Sequence, residues 1–460
     1  MASPTPFPVE NSTTLFWRTQ LDALDSHRST DELPVEADIL IIGAGYAGAA
    51  VAHHLQNKTK DQTNKPSILI LEARQACSGA TGRNGGHFRP DVYARATAVI
   101  DRYGVEAAEE VVTFEVRNLA AIKELIEQKQ IDCDFTMTQC TSVWLRAQDG
   151  DETAIALEKL TQVGISTVSD VTYTSEADAE NNSGVKGAKA CCSSSAAHLW
   201  PYKPILHILG NLIKGGANLQ THTPMHQVSS TPDSENRWTI NTPRGQIKTR
   251  KVIYATNGYT AGIVPEIKSK IVPIRGICCR IVVPKDRPSP PQLTNSYNIM
   301  LNSWAYDYLI PRSDGSIVVG GARQRYYHDL DQWFENSDDS TLIESARNYY
   351  NGYMQRTFKG WEGSGAYVDQ IWTGIMGYTH DAMPYVGELP NKPGQYICAG
   401  FTGHGMPQMY LSAECLAATI VENKTLRESG LPRLYELSQE RLDDPDHRAI
   451  EIWNSIDWSE

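Results

Sequence analysis

The stretch "ADILIIGAGYAGAAVAHHL", residues 37–55, decides the fold. Ile39 to Ile42 is an unbroken apolar run, as expected of a strand buried on both faces. It breaks at glycine and enters a helix that begins with small residues. Gly43, Gly45 and Gly48 spell G-x-G-x-x-G. The first glycine serves a tight turn, the second lets backbone approach a pyrophosphate, and the third lets helix and strand pack closely. A diphosphate would sit on the helix N-terminus, where unpaired N–H groups and the dipole favour negative charge. Beyond a polar loop, "SILILEA" is a second short buried strand. It ends at Glu72, 24 residues after Gly48, where a carboxylate accepts hydrogen bonds from an adenosine ribose. Strand, helix, strand is a βαβ unit, so the chain opens with an α/β dinucleotide fold.

The bulk properties agree with a soluble enzyme. The chain has 460 residues, 41% hydrophobic and 21% charged, enough for about three domain-equivalents. A formal net charge of −12 argues against a general nucleic-acid binder and against a basic face for anionic membranes. Nine cysteines, an odd number with no C-x-x-C, read as reduced, packed thiols. The start, "MASPTPFPVE", lacks a signal-peptide pattern, and no apolar run has transmembrane length. A cytoplasmic location is the expectation.

Further along, "TTLFWRTQLDAL" predicts a surface helix packed by Phe16 and Trp17. Residues 104–129 and 204–219 carry helical apolar spacing, and "SEADAENNSGVKGAKACCSSS" reads as a loop or boundary. Residues 270–325 are strand-rich, and no internal repeat is present.

"KVIYATNGYT", 251–260, is a buried strand ending in A-T-x-G, and "GQYICAGFTGHGMPQMYLSAECLAATI" is a strand, a glycine-rich turn and a helix. These two later segments resemble elements of FAD oxidoreductases rather than of NAD enzymes. The second would aim a helix N-terminus at a flavin edge where negative charge develops. With the first motif, these resemble the D-amino-acid oxidase–glycine oxidase–sarcosine oxidase superfamily. "ATGRNGGHF" resembles its branch containing γ-glutamylputrescine oxidase and many fungal FAD-dependent oxidoreductases.

The resemblance implies fold class α/β and α+β. A Rossmann-like FAD-binding domain, built from 1–94, 190–263 and 366–460, is interleaved with a mixed-sheet substrate domain of 95–189 and 264–365. It implies FAD contacts from Gly43, Ala44, Gly45, Tyr46, Ala47 and Gly48 in the first turn, and from Glu72, Ala73 and Arg74 after the second strand. Ser78, Thr81, Gly82, Arg83, Asn84, Gly85 and Gly86 would clamp the flavin or pyrophosphate from the loop 78–90, with Val228, Ala255, Thr256, Asn257, Gly258 and Gly374 contributing further on. Gly403, His404, Gly405 and Met406 would form the turn at the ring. The implied chemistry is hydride transfer from a C–H beside an amine nitrogen to the flavin, imine hydrolysis, and reoxidation by dioxygen to give peroxide.

Departures from the pattern shape the substrate expectation. Met376, in "GIMGYT", stands where the amino-acid oxidase branch has a carboxylate-clamping arginine and near the flavin-linking cysteine of the sarcosine branch. Pro407 replaces a carboxylate-binding lysine. The FAD is therefore expected to be non-covalent, and the substrate a larger or less acidic amine. Candidate catalytic residues are His404, over the ring, and Tyr306 with Tyr308, which share a strand face and suit an amine pocket. His87 and Arg89 are candidates for reaching substrate, His87 also for a covalent flavin link. Arg275 could neutralise a flavin or substrate charge, while Arg312 suits a β-turn. Packing is the reading for Trp200, Tyr202 and Lys203, and His380 with Asp381 lacks a third metal ligand. Competing functions are a dehydrogenase with another acceptor, an NAD(P)H-dependent flavin monooxygenase, and a binding protein with structural FAD.

Overall fold

Two sheets divide the chain between them. The structure, a computed structural model, describes residues 6–458. Among these residues the first sheet has eight strands, ordered Tyr385–Glu388, Gln395–Ala399, Gly245–Tyr254, Glu36–Ile42, Ile68–Leu71 and Asn218–Gln220. Trp238–Thr242 and Gln227–Val228 branch from Gly245–Tyr254 as an antiparallel meander. The central five strands are parallel, and Glu36–Ile42 lies in the middle.

The continuous apolar run follows from that position. Ile39 and Ile41 join the core formed with helices Tyr46–Thr59, Tyr202–Lys214 and Met409–Glu422. Leu40 and Ile42 face the other way, toward Trp238, Ile240 and Ile247 of the meander. Alternate residues thus serve opposite faces, and both faces are covered.

The second sheet has nine strands among the described residues. Its order is Tyr367–Thr379, Ile271–Val282, Ile317–Gly320, Tyr306–Pro311, Ser296–Met300, Thr136–Trp144, Ala190–His198 and His87–Phe88, with Thr172–Thr174 on Ala190–His198. Ser296–Met300 and Thr136–Trp144 run parallel, and the other pairs are antiparallel, so the sheet is mixed. Ala190–His198 and Tyr367–Thr379, assigned by sequence to the nucleotide-binding segments, hydrogen-bond here instead. So does His87–Phe88, which links the loop 78–90 to this sheet.

Two local expectations are corrected. The N-terminal segment is no surface helix: it forms one short 3-10 turn, Phe16–Arg18, with Trp17 fully buried. Trp17 packs on Phe16 and Trp200, and tertiary burial overrides the helical spacing. The polar stretch after residue 175 is not a loop but the helix Glu176–Ser183 followed by the strand Ala190–His198. Its serines and cysteines sit in a strand covered on both sides, a pattern without the bulky β-branched residues that announce one.

Candidate active site

One cavity of about 490 Å³ is lined from both sheets and fits the usual size of a ligand site. One end is built by the glycine turn. Gly43 has φ +108°, and a side chain there would meet Ala255 O at 2.7 Å. Gly48 faces inward, where any Cβ would clash with Gly43 O. The helix Tyr46–Thr59 has no side-chain N-cap, and its N-terminus lies at the cavity wall. Tyr46 N donates to Thr81 Oγ1 at 3.0 Å, which ties the later loop to this turn. Glu72 Oε2 accepts from Ala44 N at 2.9 Å and Oε1 from Arg74 N at 3.0 Å. Each oxygen keeps a second lone pair for a ribose hydroxyl. A helix N-terminus whose N-cap glycine offers no side-chain cap and a carboxylate at the strand end fit the expected FAD.

The loop 78–90 is held from behind. Arg83, expected on a phosphate or flavin oxygen, donates to Ser78 O, Thr373 O and Thr13. Its guanidinium is engaged by protein oxygens, so its role at the wall is to fix the loop. Trp17 Nε1 donates to Asn84 O at 2.6 Å, and Trp372 Nε1 to Arg83 O at 2.9 Å. Arg74 likewise meets Asp339 through two parallel bonds. Phe7 and Pro8 also line the cavity, and Val9 O accepts from Arg74, so the N-terminal segment straps this end. Nothing in the sequence marked that strap.

Most of the expected contacts meet at the wall: residues 255–258, 403–406, Gly374 and most of 81–85 line it. Ala44, Gly48, Ser78, Gly82 and Gly86 stand outside it. Val228 is also absent from the wall, since it pairs with Ile240 in the meander, and Thr223, Pro224 and Met225 take that place. Asn257 Oδ1 accepts from Gly400 N at 3.0 Å and Phe401 N at 3.2 Å. That bond joins the A-T-x-G strand end to the G-H-G turn.

At the opposite end Tyr306 and Tyr308 both line the cavity. The Tyr308 ring fits between Gly85 and Gly320, where a Cβ on either would strike it. Its hydroxyl lies 3.0 Å from Cys278 Sγ, and burial pushes that thiol up to about 12. His404 Nε2 lies 2.9 Å from Glu115 Oε2. Glu115 is fully buried and also accepts from Gln408 Nε2 and from Asp91 N, each at 2.7 Å. Burial alone would raise its pKa; His404 and Arg95 outweigh that and hold it below the ordinary range. His87 lines the cavity with Nε2 2.8 Å from Ser296 Oγ. Burial, then Arg89, lowers its pKa well below the usual value, so it is neutral. Glu115 and Tyr378 escaped the sequence reading. Tyr378 was accessible to it, being two residues from Met376 on one strand face.

Several candidates lie elsewhere. Arg275 donates to Thr341 and to Gln332 O, pinning the segment 332–341. Arg312 pairs with Asp134 and covers Trp17 and Trp200. His380 Nδ1 lies 2.5 Å from Tyr385 Oη, and Asp381 pairs with Arg441. Trp200 donates to Trp17 O and Tyr202 to Asp25, while Lys203 sits over the Trp200 ring. Among the described residues no group of His, Cys, Asp and Glu is arranged for a metal.

Comparison with known proteins bears on most of the chain. The family described as FAD dependent oxidoreductase (DAO) matches residues 38–419. The γ-glutamylputrescine oxidoreductase of Escherichia coli is 23% identical over 396 residues, covering 83% of each chain. The glycine oxidase of Geobacillus kaustophilus superposes with TM-score 0.65 at 18% identity, over 85% of this chain and 95% of that one. The L-amino acid deaminase of Proteus myxofaciens, solved with anthranilate, gives TM-score 0.68 at 13% identity, over 93% and 97%. The two structures speak to the fold alone.

Proposed function

The chain belongs to the FAD dependent oxidoreductase family, and from that premise we propose that it oxidises the C–N bond of an amine or amino acid to an imine, with dioxygen as acceptor and hydrogen peroxide as product. Its cofactor is FAD, which when bound accepts the hydride and passes the electrons on. The observation that carries the reading is the continuity of one cavity from the glycine turn to the strand face bearing Tyr306 and Tyr308. On this reading Gly43, Gly45, Tyr46, Ala47 and Glu72 hold the adenosine diphosphate, and Thr81, Arg83, Asn84, Gly85 and residues 403–406 flank the ring. Tyr306 and Tyr308 wall the amine and exclude water, and Glu115 fixes the His404 imidazole beside the reacting end. The neutral amine is the hydride donor, so no strong base is required at the wall.

The first sheet is the cofactor unit and the second the substrate unit in this proposal. The FAD is non-covalent: Met376 is no thiolate, and His87 Nε2 is occupied by Ser296. Nine free, buried cysteines support a reducing, cytoplasmic setting. No helix among the described residues is long and apolar enough to cross a membrane. The test is anaerobic mixing of the holoenzyme with primary, secondary and N-methyl amines, with and without a carboxylate. Flavin bleaching, followed by one peroxide per turnover in air, is expected. No bleaching with any amine sinks the reading, and bleaching without peroxide replaces the oxidase by a dehydrogenase.

A further inference from the structure

Five arginines line the cavity: Arg74, Arg83, Arg89, Arg95 and Arg323. Three of them lie within 4 Å of a carboxylate, and a fourth, Arg89, has Asp91 nearby. Arg74 and Arg83 share Asp339, at 2.9 and 3.2 Å. Arg95 lies 3.9 Å from Glu115, and Arg89 is in the field of Asp91. Arg323 has no carboxylate partner among the described residues. Its Nη2 donates to Tyr378 Oη at 3.0 Å, and its Cζ lies 5.2 Å from the Tyr306 ring and 5.5 Å from the Tyr327 ring. A guanidinium has five N–H donors in a planar fork, and only that one bond engages it. A cation placed in a half-buried cleft without a counter-charge is ready for an anion.

The backbone is built to present it. The strand Ile317–Gly320 ends in Gly321 at φ +134° and Ala322 at φ +58°, the latter uncommon for a residue with a side chain. Asp307 holds that turn. It is fully buried, its Oδ1 accepts from Ala322 N at 2.7 Å, and its Oδ2 accepts from Tyr349 Oη at 2.6 Å. Asp307 also occupies the space that a Gly321 side chain would need. Along Tyr306–Pro311, Tyr306 and Tyr308 face the cavity while Asp307, between them, faces away and fixes the loop that returns Arg323 to it. Such local strain concentrates at ligand clamps.

The partner of Arg323 marks where the anion would lie. Tyr378 and Met376 share one face of Tyr367–Thr379; a side chain at Gly403 would sit 3.0 Å from Tyr378 Oη and 3.1 Å from Met376 Sδ. Arg323 therefore reaches the side of the G-H-G turn at which the resemblance calls for a strand arginine and the sequence has methionine. We propose that Arg323, with Tyr378, binds a carboxylate of the amine substrate. The clamp is moved to the loop after Gly320 rather than lost, and this rests on the amine-oxidation reading above.

The test uses the FAD-loaded enzyme and follows the flavin absorption spectrum. Acetate, propionate, benzoate and phenylacetate are titrated beside their uncharged amides. The acids are expected to bind at least about tenfold more tightly than the amides, as a charge-assisted bond requires. Arg323→Gln is expected to weaken the acids roughly ten- to a hundredfold and leave the amides unchanged. Arg323→Lys keeps part of the preference, and both variants keep native FAD content. Equal binding of acid and amide by the native enzyme overturns the proposal, as does an undiminished preference in Arg323→Gln. Loss of FAD from both variants also overturns it, by making Arg323 a cofactor ligand. The two readings fail separately: an enzyme that bleaches with plain amines and ignores carboxylates keeps the amine reading and loses this one.

Discussion

Gly48 shows how one missing methyl group supports a cofactor site. The first turn of the helix passes so near Gly43 O that no Cβ fits, and Ile41 Cγ2 closes the other side at 3.3 Å. Gly48→Ala must push the helix N-terminus off the strand end, at a cost of about 1–3 kcal/mol for overpacking. It also misaligns the N–H groups that receive the diphosphate. We expect a lower melting temperature and a flavin-to-protein ratio well below that of the native enzyme. Purification of Gly48→Ala with full flavin would refute this placement of the turn. The sequence rule assigned this glycine to helix–strand packing, and the tightest contact is instead the carbonyl of the first glycine in the same motif.

Among the elements, the long helix Val105–Lys129 ties the turn at 403–406 to the rest of the fold. Glu115 accepts from Gln408 and meets His404, and Asn118 Oδ1 accepts from Leu411 N at 2.9 Å, so two turns of this helix organise the start of Met409–Glu422. Glu115→Ala strands His404 and Arg95 in a dry site. Removing one partner of a buried charge pair costs about 3–5 kcal/mol, and urea unfolding should register that loss. Glu115→Gln, which keeps an acceptor but not the charge, should lose less; equal losses would mean that the charge carries the whole effect and the acceptor none.

The helix itself was legible from its apolar spacing, as were the βαβ unit and the late strand, turn and helix, because local pattern and burial agree there. Glu115 was not, since one acid on an amphipathic helix looks solvated until a second helix covers it. The N-terminal segment misled for a similar reason: its spacing is helical, but Trp17 and Phe16 bury against Trp200, 183 positions beyond Trp17, and the backbone follows them. Arg323 was hidden because its meaning depends on the neighbouring arginines having acids near them while it has none.

At the scale of the whole molecule, many buried ionisable groups have been fixed in one protonation state. Burial lowers the pKa of His198 to about 4 and of His54 to about 3 from 6.5. Both are neutral in the fold, and an unfolded chain takes up protons first as pH falls. Their stabilisation is therefore complete above about pH 6.5 and is lost as pH falls toward the folded values. Each loses about 1.4 kcal/mol by pH 5.5. Glu115 and Asp91, with lowered carboxyl values, act in the same direction at lower pH. The melting temperature should fall steadily from pH 7 to 5, and a flat profile would show that these histidines are charged in the fold. The order of strands has a consequence for how the protein is made. The central strand Glu36–Ile42 leaves the ribosome early, but its neighbour Gly245–Tyr254 follows some two hundred residues later, and Gln395–Ala399 and the helix Met409–Glu422 come near the end. Until then its apolar faces have only part of their cover, so a chain truncated before residue 395 is expected to aggregate and to hold no FAD.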